Sequence, residues 1–477
     1  MTKKTGCGRI LPGEAKAAQP GASFYLEGLV LLYPKNKAEI FRKYAVPQMI
    51  GLVVNSAYFI VDGIFIGNRL GRDAMAAAAV SVPLLEILIA ISLAVSSGAG
   101  VIISSGLGRK QFAHARRTFT RASALMLAIG VLITVLGNVF IHQLAELLGS
   151  TPDIHSQAVK YMWYIVTFSP FLLFSFLLSS FLRNDNQPKL AMFALTFGSI
   201  SNIVLDYVFM YPLNMGIAGA ALATALGPIF SVIIMLPHFL KKKGYLYLVP
   251  YRVETPRTFT ILKLGFPAFI MEFSIGLITF LYNTAVIRNG YGEIGLAAYL
   301  IIGYIMLLYL TVFLGLAQGL QPIFSYYCGT GEQEQGRKLL IYSIKLFALI
   351  GVVCYVVILI GGKSFIGFFT PQDPELASFT LAKTRVYFTG FVFAGLNILL
   401  ITYWQAVQRT SRSLLISLMR STLAPLPLLI ILPVIFGRES IWTCHSLGEL
   451  VTFGTALLLI YSTKSRLKSQ TPIKQNT

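Results

Sequence analysis

Apolar stretches of helix length alternate with short polar segments along most of the chain. Twelve of them are long enough to cross the hydrocarbon core of a membrane, which is about 30 Å thick. They lie near 44–68, 74–106, 120–142, 161–182, 190–211, 216–240, 263–287, 294–326, 339–362, 384–407, 413–436 and 440–462. This pattern predicts an all-α polytopic membrane protein with twelve transmembrane helices.

The composition excludes most other classes of protein. The residue types AVILMFWYC make up 55% of the chain and DEKR only 12%, about half of the ~25% that is usual for charged residues. So few charges cannot cover the surface of a soluble globule of 477 residues. The four cysteines are scattered, without the spacing of a disulfide framework or of metal-ligand pairs.

The net charge of +20 would suggest nucleic acid in a soluble protein. Here the cations lie between apolar segments, so we interpret them as topology signals and expect no nucleic-acid partner. Of the 39 Lys and Arg, 31 lie in the two tails and the connections on the same side of the membrane. By the positive-inside rule, both termini are cytoplasmic. The N-terminal tail is 1–43 and the C-terminal tail is 463–477.

An internal repeat appears at an offset near 221 residues. Asp62 aligns with Asn283, Gly98 with Gly319, and Gly108 with Gly329. Six spans in each half give both halves the same orientation, so an axis along the membrane normal should relate them. We therefore predict an N-lobe at 44–240, a cytoplasmic linker at 241–262 and a C-lobe at 263–462, with a site between the two bundles.

Motifs of common enzymes and ATPases are missing. The segment Gly361-Gly362-Lys363-Ser364 has Val357 where a Walker A motif requires Gly, and HExxH is absent. None of the five histidines has metal-ligand spacing. We expect no enzymatic activity, no resident metal and no cofactor, with an ion gradient as the energy source.

Six acidic or histidine side chains fall inside predicted spans, away from their ends. Each carboxylate at mid-helix costs about 2.5–3.5 kcal/mol on insertion scales, so each needs a reason. They are Asp62, Glu86, Asp206, Glu272, His445 and Glu449, and Arg420 is the one obvious intramembrane cation.

Asp62 and Asp206 are predicted to lie at one depth in the N-lobe, because each comes shortly before the outer end of its span. Asn202 shares a helix face with Asp206, and Asn55 and Tyr58 share one with Asp62. These five residues form the candidate cation-coupling site. Paired carboxylates can bind a proton or coordinate Na⁺. Alternatively, the two carboxylates bond separately to backbone or Ser/Thr groups.

A second candidate set could serve another ion or a cationic substrate. It comprises Glu272, Asn283, Glu86, Glu449 and His445. The alternative for Glu272 and Glu86 is an interhelical hydrogen bond. His445 and Glu449 are four residues apart on one helix face, so they could simply pair with each other.

Pro47, near the start of the first span, is a candidate hinge that would let the helix bend when Asp62 changes charge. The alternative is an ordinary first-turn proline. The aromatic content of 13%, together with Met, could line a cavity that tolerates varied apolar cations through cation–π contact.

Three segments resemble the MATE family (multidrug and toxic compound extrusion), in particular its bacterial MepA-type branch. They are KYAVPQMIGLVVNSAYFIVDGIFIGNRLG at 43–71, SNIVLDYVFMYPLNMGIAGAAL at 201–222, and GLAQGLQPIFSYYCGTGEQEQGR at 315–337. The similarity runs from about residue 40 to 462. Three departures are the absence of Asp from 384–407, where a partner for the seventh-span acid would lie, a tail before residue 40 that is longer than the family pattern leads us to expect, and the sequence CHSLGEL at 444–450.

The resemblance implies a twelve-span, two-lobed exporter driven by H⁺ or Na⁺ that moves amphipathic cations outward. It implies that Asp62, Asp206 and Asn202 correspond to the family's cation site in the N-lobe. Glu272 resembles the acid in the seventh span that another branch of the family uses for cation coupling. We expect a monomeric drug:cation antiporter of a bacterial inner membrane. The rivals are a lipid-precursor flippase of related build, which would need a cationic cavity, and an intramembrane lipid-processing enzyme.

Overall fold

A computed structural model describes residues 34, 36–251, 254–370 and 373–468, and within them the chain is helical without strands. Eleven helices are long and apolar enough to cross a membrane, and a pair of helices bent by 47° makes a twelfth span. In chain order the spans are Lys37–Leu70, Asp73–Gly108, Phe112–Val139, the bent pair Pro152–Thr167 and Ser169–Asn184, Pro188–Met210, Ile217–Leu240, Thr255–Arg288, Ile294–Thr330, Gln333–Gly367, Pro374–Ala406, Thr410–Phe436 and Arg438–Tyr461. The predicted fold class is confirmed.

Several helices begin earlier than predicted. The first helix begins at Lys37 rather than 44, because the Asn36 side chain accepts a hydrogen bond from the Ala38 N–H and caps it. The seventh begins at Thr255 with a proline in its first turn, which is a favourable start for a helix. The connection between the halves is therefore 241–254, shorter than the predicted linker 241–262.

The fourth span also begins early, at Pro152, and it is broken at Phe168. The break lies beside Pro170, which has no N–H to continue the helix and disturbs the turn before it. At the start of the first span a π-helical turn, Phe41–Ala45, directly precedes Pro47. Pro47 thus follows an irregular turn, and its role as a hinge stays a prediction.

The apolar core is divided into two clusters that follow the two halves of the chain. One cluster runs from Ile66 to Leu246 and the other from Met271 to Ala456. In addition, each cluster includes a few residues from the first turns of a helix that belongs mainly to the other half. Ile40, Phe41 and Tyr44 of the first span belong to the second cluster, and Ile261 and Leu264 of the seventh belong to the first. The two equivalent helices therefore each begin in the opposite lobe, which the predicted lobe limits of 44 and 263 do not describe.

The lobes meet along a seam in which the second span packs on the seventh and the first on the eighth. We call the end of the bundle that carries the connection 241–254 the linker end, and the opposite end the far end. At Gly98 an added Cβ would overlap the Ile261 carbonyl, and at its repeat partner Gly319 it would overlap the Tyr44 carbonyl. Gly108 and Gly329 make a matching pair of backbone contacts. The repeat thus places small residues where the lobes touch, towards the linker end.

We expect Gly98→Val to destabilise the closed seam by roughly 1–3 kcal/mol, because the side chain must displace backbone of the seventh span. The thermal unfolding midpoint of the detergent-purified protein should fall by several degrees. Gly276→Val is the matched control on the seventh span, since an added Cβ there meets nothing within 4 Å. Equal midpoints for the two variants would contradict this view of the seam.

Candidate functional site

Two carboxylates are buried together inside the first lobe. Asp62, on the first span, is 6% exposed, and Asp206, on the fifth, is 0% exposed. The first and fifth spans pack directly on each other, and the two carboxyl groups interact electrostatically. The structure thus brings together the pair that depth along the two spans predicts.

Most polar atoms at this pair have no hydrogen-bond partner among the described residues. The Tyr161 hydroxyl donates to Oδ2 of Asp62 over 3.4 Å. Oδ1 of Asp62, both carboxylate oxygens of Asp206 and both amide atoms of Asn202 are buried without a donor or acceptor from another described residue. The two carboxyl groups are close enough to hydrogen-bond to each other when one of them carries a proton. Buried polar groups are normally paired, so such a cluster needs an explanation, and a small bound cation is one. The alternative of separate bonds to backbone or Ser/Thr groups is not what the described contacts show.

Tyr58 and Asn55 occupy different places relative to the pair. Tyr58 is buried and interacts electrostatically with both carboxyl groups. Asn55 lies two helical turns before Asp62 and donates to the Ser199 hydroxyl over 3.3 Å. Asn55 therefore belongs to a neighbouring cavity rather than to the carboxylate pair.

That cavity lies inside the first lobe, next to the pair. Its lining combines aromatic and aliphatic side chains with a few polar and small ones: Asn55, Tyr58, Phe59, Leu85, Ile89, Ile165, Phe168, Leu172, Ser175, Phe176, Leu195, Gly198, Ser199, Asn202, Thr224, Ala225, Gly227, Pro228 and Ser231. An apolar pocket with a few convergent polar groups is the usual form of a small-molecule site. Asn202 connects it to the carboxylates.

Two members of the site could not be found from the sequence. Tyr161, on the first part of the bent fourth span, donates to Asp62 and also contacts the Thr224 hydroxyl of the sixth span. The signal for Thr224 in the sequence is a hydroxyl in a largely apolar helix, and in the structure that hydroxyl also donates to the Ala220 carbonyl over 3.1 Å. Tyr161 lies at the predicted start of its span, where a tyrosine is more typical of the membrane interface.

The residues of the second candidate set do not form one site, because the structure places them in different parts of the molecule. Gly265 packs on Ala94, and Gly98 on Ile261, so the second and seventh spans run antiparallel along the seam. Continuing that register puts Glu86 level with Glu272, and their carboxyl groups interact electrostatically. These two acids are neighbours across the lobes. Asn283 lies eleven residues beyond Glu272, roughly 16 Å along the same helix, so it does not share their site.

Glu449 lies in the core of the second lobe with full pairing. One carboxylate oxygen accepts from Arg420 Nε and the other from Asn397 Nδ2, each over 2.8 Å. The expected bond between His445 and Glu449 is not among the contacts of the described residues. Instead the His445 ring stacks on Tyr387, with centroids 4.4 Å apart. These contacts favour a structural role for Glu449, as the partner of Arg420 in a buried ion pair, over a role in binding substrate.

The donor set at Asp62 and Asp206 fits a proton or a hard monovalent cation. Carboxylate, amide and hydroxyl oxygens are the ligands that such cations prefer. Among the described residues no group of three or more His, Cys, Asp and Glu could hold a transition metal. The arrangement can therefore bind and release one small cation in an otherwise apolar interior.

Comparison with known proteins gives matches over both halves. A family model described as MatE matches residues 47–208 and 267–431. The multidrug export protein MepA of Staphylococcus saprophyticus is 23% identical over 441 residues, covering 91% of this chain and 97% of that protein. MepA of Staphylococcus haemolyticus is 26% identical over 430 residues, covering 89% of this chain and 93% of that protein.

Solved structures share the fold. A crystal structure of MATE in the straight conformation aligns with a TM-score of 0.86 at 24% identity, covering 93% of this chain and 99% of that one. An outward-facing multidrug resistance MATE family transporter of the MOP superfamily aligns with a TM-score of 0.86 at 23% identity, with the same coverage of 93% and 99%.

Proposed function

Because the chain belongs to the MatE family, we propose that it is a secondary active multidrug exporter that exchanges amphipathic cationic drugs for H⁺ or Na⁺. The family resemblance of its three motifs is confirmed by the match over both halves. The relatives named multidrug export proteins align over nearly their whole length, which supports the same class of substrate here.

The observation that carries the proposal is the buried pair of carboxyl groups, Asp62 and Asp206, which lie within hydrogen-bond reach of each other beside the unpaired amide of Asn202. A bound H⁺ or Na⁺ would satisfy these atoms and remove net charge from a buried site. The empty site and the occupied site therefore differ in charge, which is what an ion-coupled transporter needs. Tyr161 holds one oxygen of Asp62 in place and leaves the other open.

We place the linker end in the cytoplasm of a bacterial cell, with both termini on that side. The basic connections at this end support the orientation. The lobes touch through backbone contacts towards the linker end, so the described conformation is closed to the cytoplasm. The candidate coupling site is complete within one chain, which supports a monomer as the working unit.

Alternating access then follows from the two lobes. Entry of the coupling cation from outside neutralises the Asp62/Asp206 pair and favours release of drug and return to the inward-facing state. A ligand shifts such an equilibrium only by its difference in affinity for the two states. The apolar, aromatic cavity beside the pair would take a hydrophobic cation without demanding one shape.

The test is transport of ethidium in proteoliposomes that contain the full chain, with a pH gradient or a Na⁺ gradient imposed separately. We expect one of the gradients to drive ethidium against its concentration difference and the other to have little effect. Dissipating the active gradient with an ionophore should stop transport at once. Absence of transport under both gradients would overturn the proposal.

A further inference from the structure

Two histidines face each other at the far end of the first lobe, where the third span is connected to the fourth. His142 is on the short helix Ile141–Leu147 that follows the third span. His155 is on the first turn of the helix Pro152–Thr167, which opens the fourth span. His142 Nδ1 and His155 Nε2 are 3.1 Å apart, and the ring planes are inclined by 28°. Ion coupling at the carboxylate pair makes no use of either ring.

The chain between the two histidines holds them in this arrangement. The helix Ile141–Leu147 ends at Gly149, which has a φ of 97°, and the Ser150 N–H donates back to the Ala145 carbonyl over 3.0 Å. A glycine in the left-handed region with such a bond is a common and well-defined way to end a helix. The two helices also pack directly on each other. The positions of the two rings are therefore fixed by a tied turn and by packing.

Ser150 orients one of the two rings. Its hydroxyl oxygen lies 2.9 Å from His155 Nδ1. When that oxygen accepts the hydrogen of Nδ1, the lone pair of His155 Nε2 is left facing His142. A partner that fixes the tautomer in this way is what a metal-binding histidine normally has. His142 is exposed, so its Nε2 can carry the hydrogen of that ring and leave Nδ1 free to act as a ligand.

The separation of the two nitrogens fits two ligands of one metal ion. Imidazole nitrogens at about 2.0–2.1 Å from a tetrahedral Zn²⁺ are roughly 3.3 Å apart, close to the observed 3.1 Å. We propose that His142 and His155 bind a divalent transition-metal ion such as Zn²⁺ from the solution outside the cell. Imidazole selects this class of ion over Mg²⁺ and Ca²⁺, which prefer oxygen ligands. Two protein ligands leave the other positions to water, so the ion binds reversibly rather than as a permanent part of the fold.

A metal ion at this pair would restrain the candidate coupling site. His155 and Tyr161 are on the same helix, roughly 9 Å apart along its axis, and the Tyr161 hydroxyl donates to Asp62. The 47° bend separates this helix from the rest of the fourth span. A metal bridge ties its outer end to the helix that follows the third span, and so slows any movement of Tyr161 during transport. This consequence rests on the proposed function, whereas the metal site itself does not.

The test is Zn²⁺ binding to the purified full chain, freed of any polyhistidine tag and measured by titration calorimetry. We expect wild type to bind Zn²⁺ and not Mg²⁺. His142→Gln and His155→Gln should each lose the site, because a single imidazole remains. Ser150→Ala should weaken Zn²⁺ binding about tenfold, because the ring that it orients becomes free to turn. His114→Gln, which removes a histidine from the first turn of the third span at the linker end, should bind Zn²⁺ as wild type does.

Efflux of ethidium from proteoliposomes separates this inference from the proposed function. Zn²⁺ on the far-end side should slow wild-type efflux severalfold, EDTA should restore it, and His142→Gln should not respond to Zn²⁺. No binding of Zn²⁺ by wild type up to about 1 mM, or undiminished affinity in His142→Gln or His155→Gln, would overturn the metal site. Efflux that bound Zn²⁺ leaves unchanged would overturn the restraint. If wild type bound Zn²⁺ but moved no ethidium under either gradient, the proposed function would fail and the metal site would stand.

Discussion

We expect Asp62→Asn to reach the membrane at normal levels and to lose gradient-driven efflux of ethidium to the background level. Asn keeps the shape of Asp and can still accept the Tyr161 hydroxyl bond, but it cannot take up or release a proton and carries no charge for Na⁺. Drug binding should survive, because Asn resembles a protonated carboxyl group. Efflux from vesicles under the active gradient is the measurement.

Matched variants make this prediction specific. Asp206→Asn should lose efflux to a similar degree, and the double variant should be little worse than either single one, because members of one coupled site are not additive. Asp153→Asn changes an exposed acid of the same lobe at the far end and should transport as wild type does. Normal efflux by Asp62→Asn across pH 6 to 8, roughly the range over which buried carboxylates titrate, would move the assignment to Glu272.

The second large effect concerns stability in the other lobe. Glu449→Gln should destabilise the protein by about 3–5 kcal/mol, because it leaves the buried guanidinium of Arg420 without its counter-charge. Thermal unfolding and the yield of folded protein in detergent measure the loss. The double variant Arg420→Met/Glu449→Leu should recover much of it, since it removes both charges and keeps most of the volume.

The exposed pair Lys338–Glu334 supplies the control. Its atoms are 3.6 Å apart and its side chains are 50% and 66% exposed, so Glu334→Gln should change the stability by less than about 1 kcal/mol. If Glu449→Gln were as stable as Glu334→Gln, the ion pair would not hold the lobe together. That outcome would favour a role for Glu449 in binding substrate instead.

Much of the fold and part of the site follow from the sequence, because a membrane limits what apolar segments can do. Span lengths depend on bilayer thickness, so hydropathy alone predicts the twelve spans. Depth along two such spans suffices to bring Asp62 and Asp206 together. The repeat likewise pairs Gly98 with Gly319, and both lie where the lobes touch.

The remaining features depend on contacts between distant helices. Tyr161 joins the site because the fourth span begins early and bends at Phe168. The first turns of the first helix pack in the second lobe, and those of the seventh helix pack in the first lobe. No local pattern in the sequence predicts this crossing. Arg183 is one residue from the end of its helix, and the sequence cannot tell a loop cation from one enclosed between two lobes, where the structure places it.

The most direct measurement of ion coupling is the number of cations displaced when ethidium binds. Titration calorimetry of the purified protein in buffers of different ionisation enthalpy gives the protons released, and repetition with added Na⁺ gives the Na⁺ competition. Because coupling between two ligands is reciprocal, wild type should release protons or bind ethidium more weakly as Na⁺ rises, and Asp62→Asn should do neither. The same cation displacement in wild type and Asp62→Asn would contradict the assignment of the coupling site to Asp62 and Asp206.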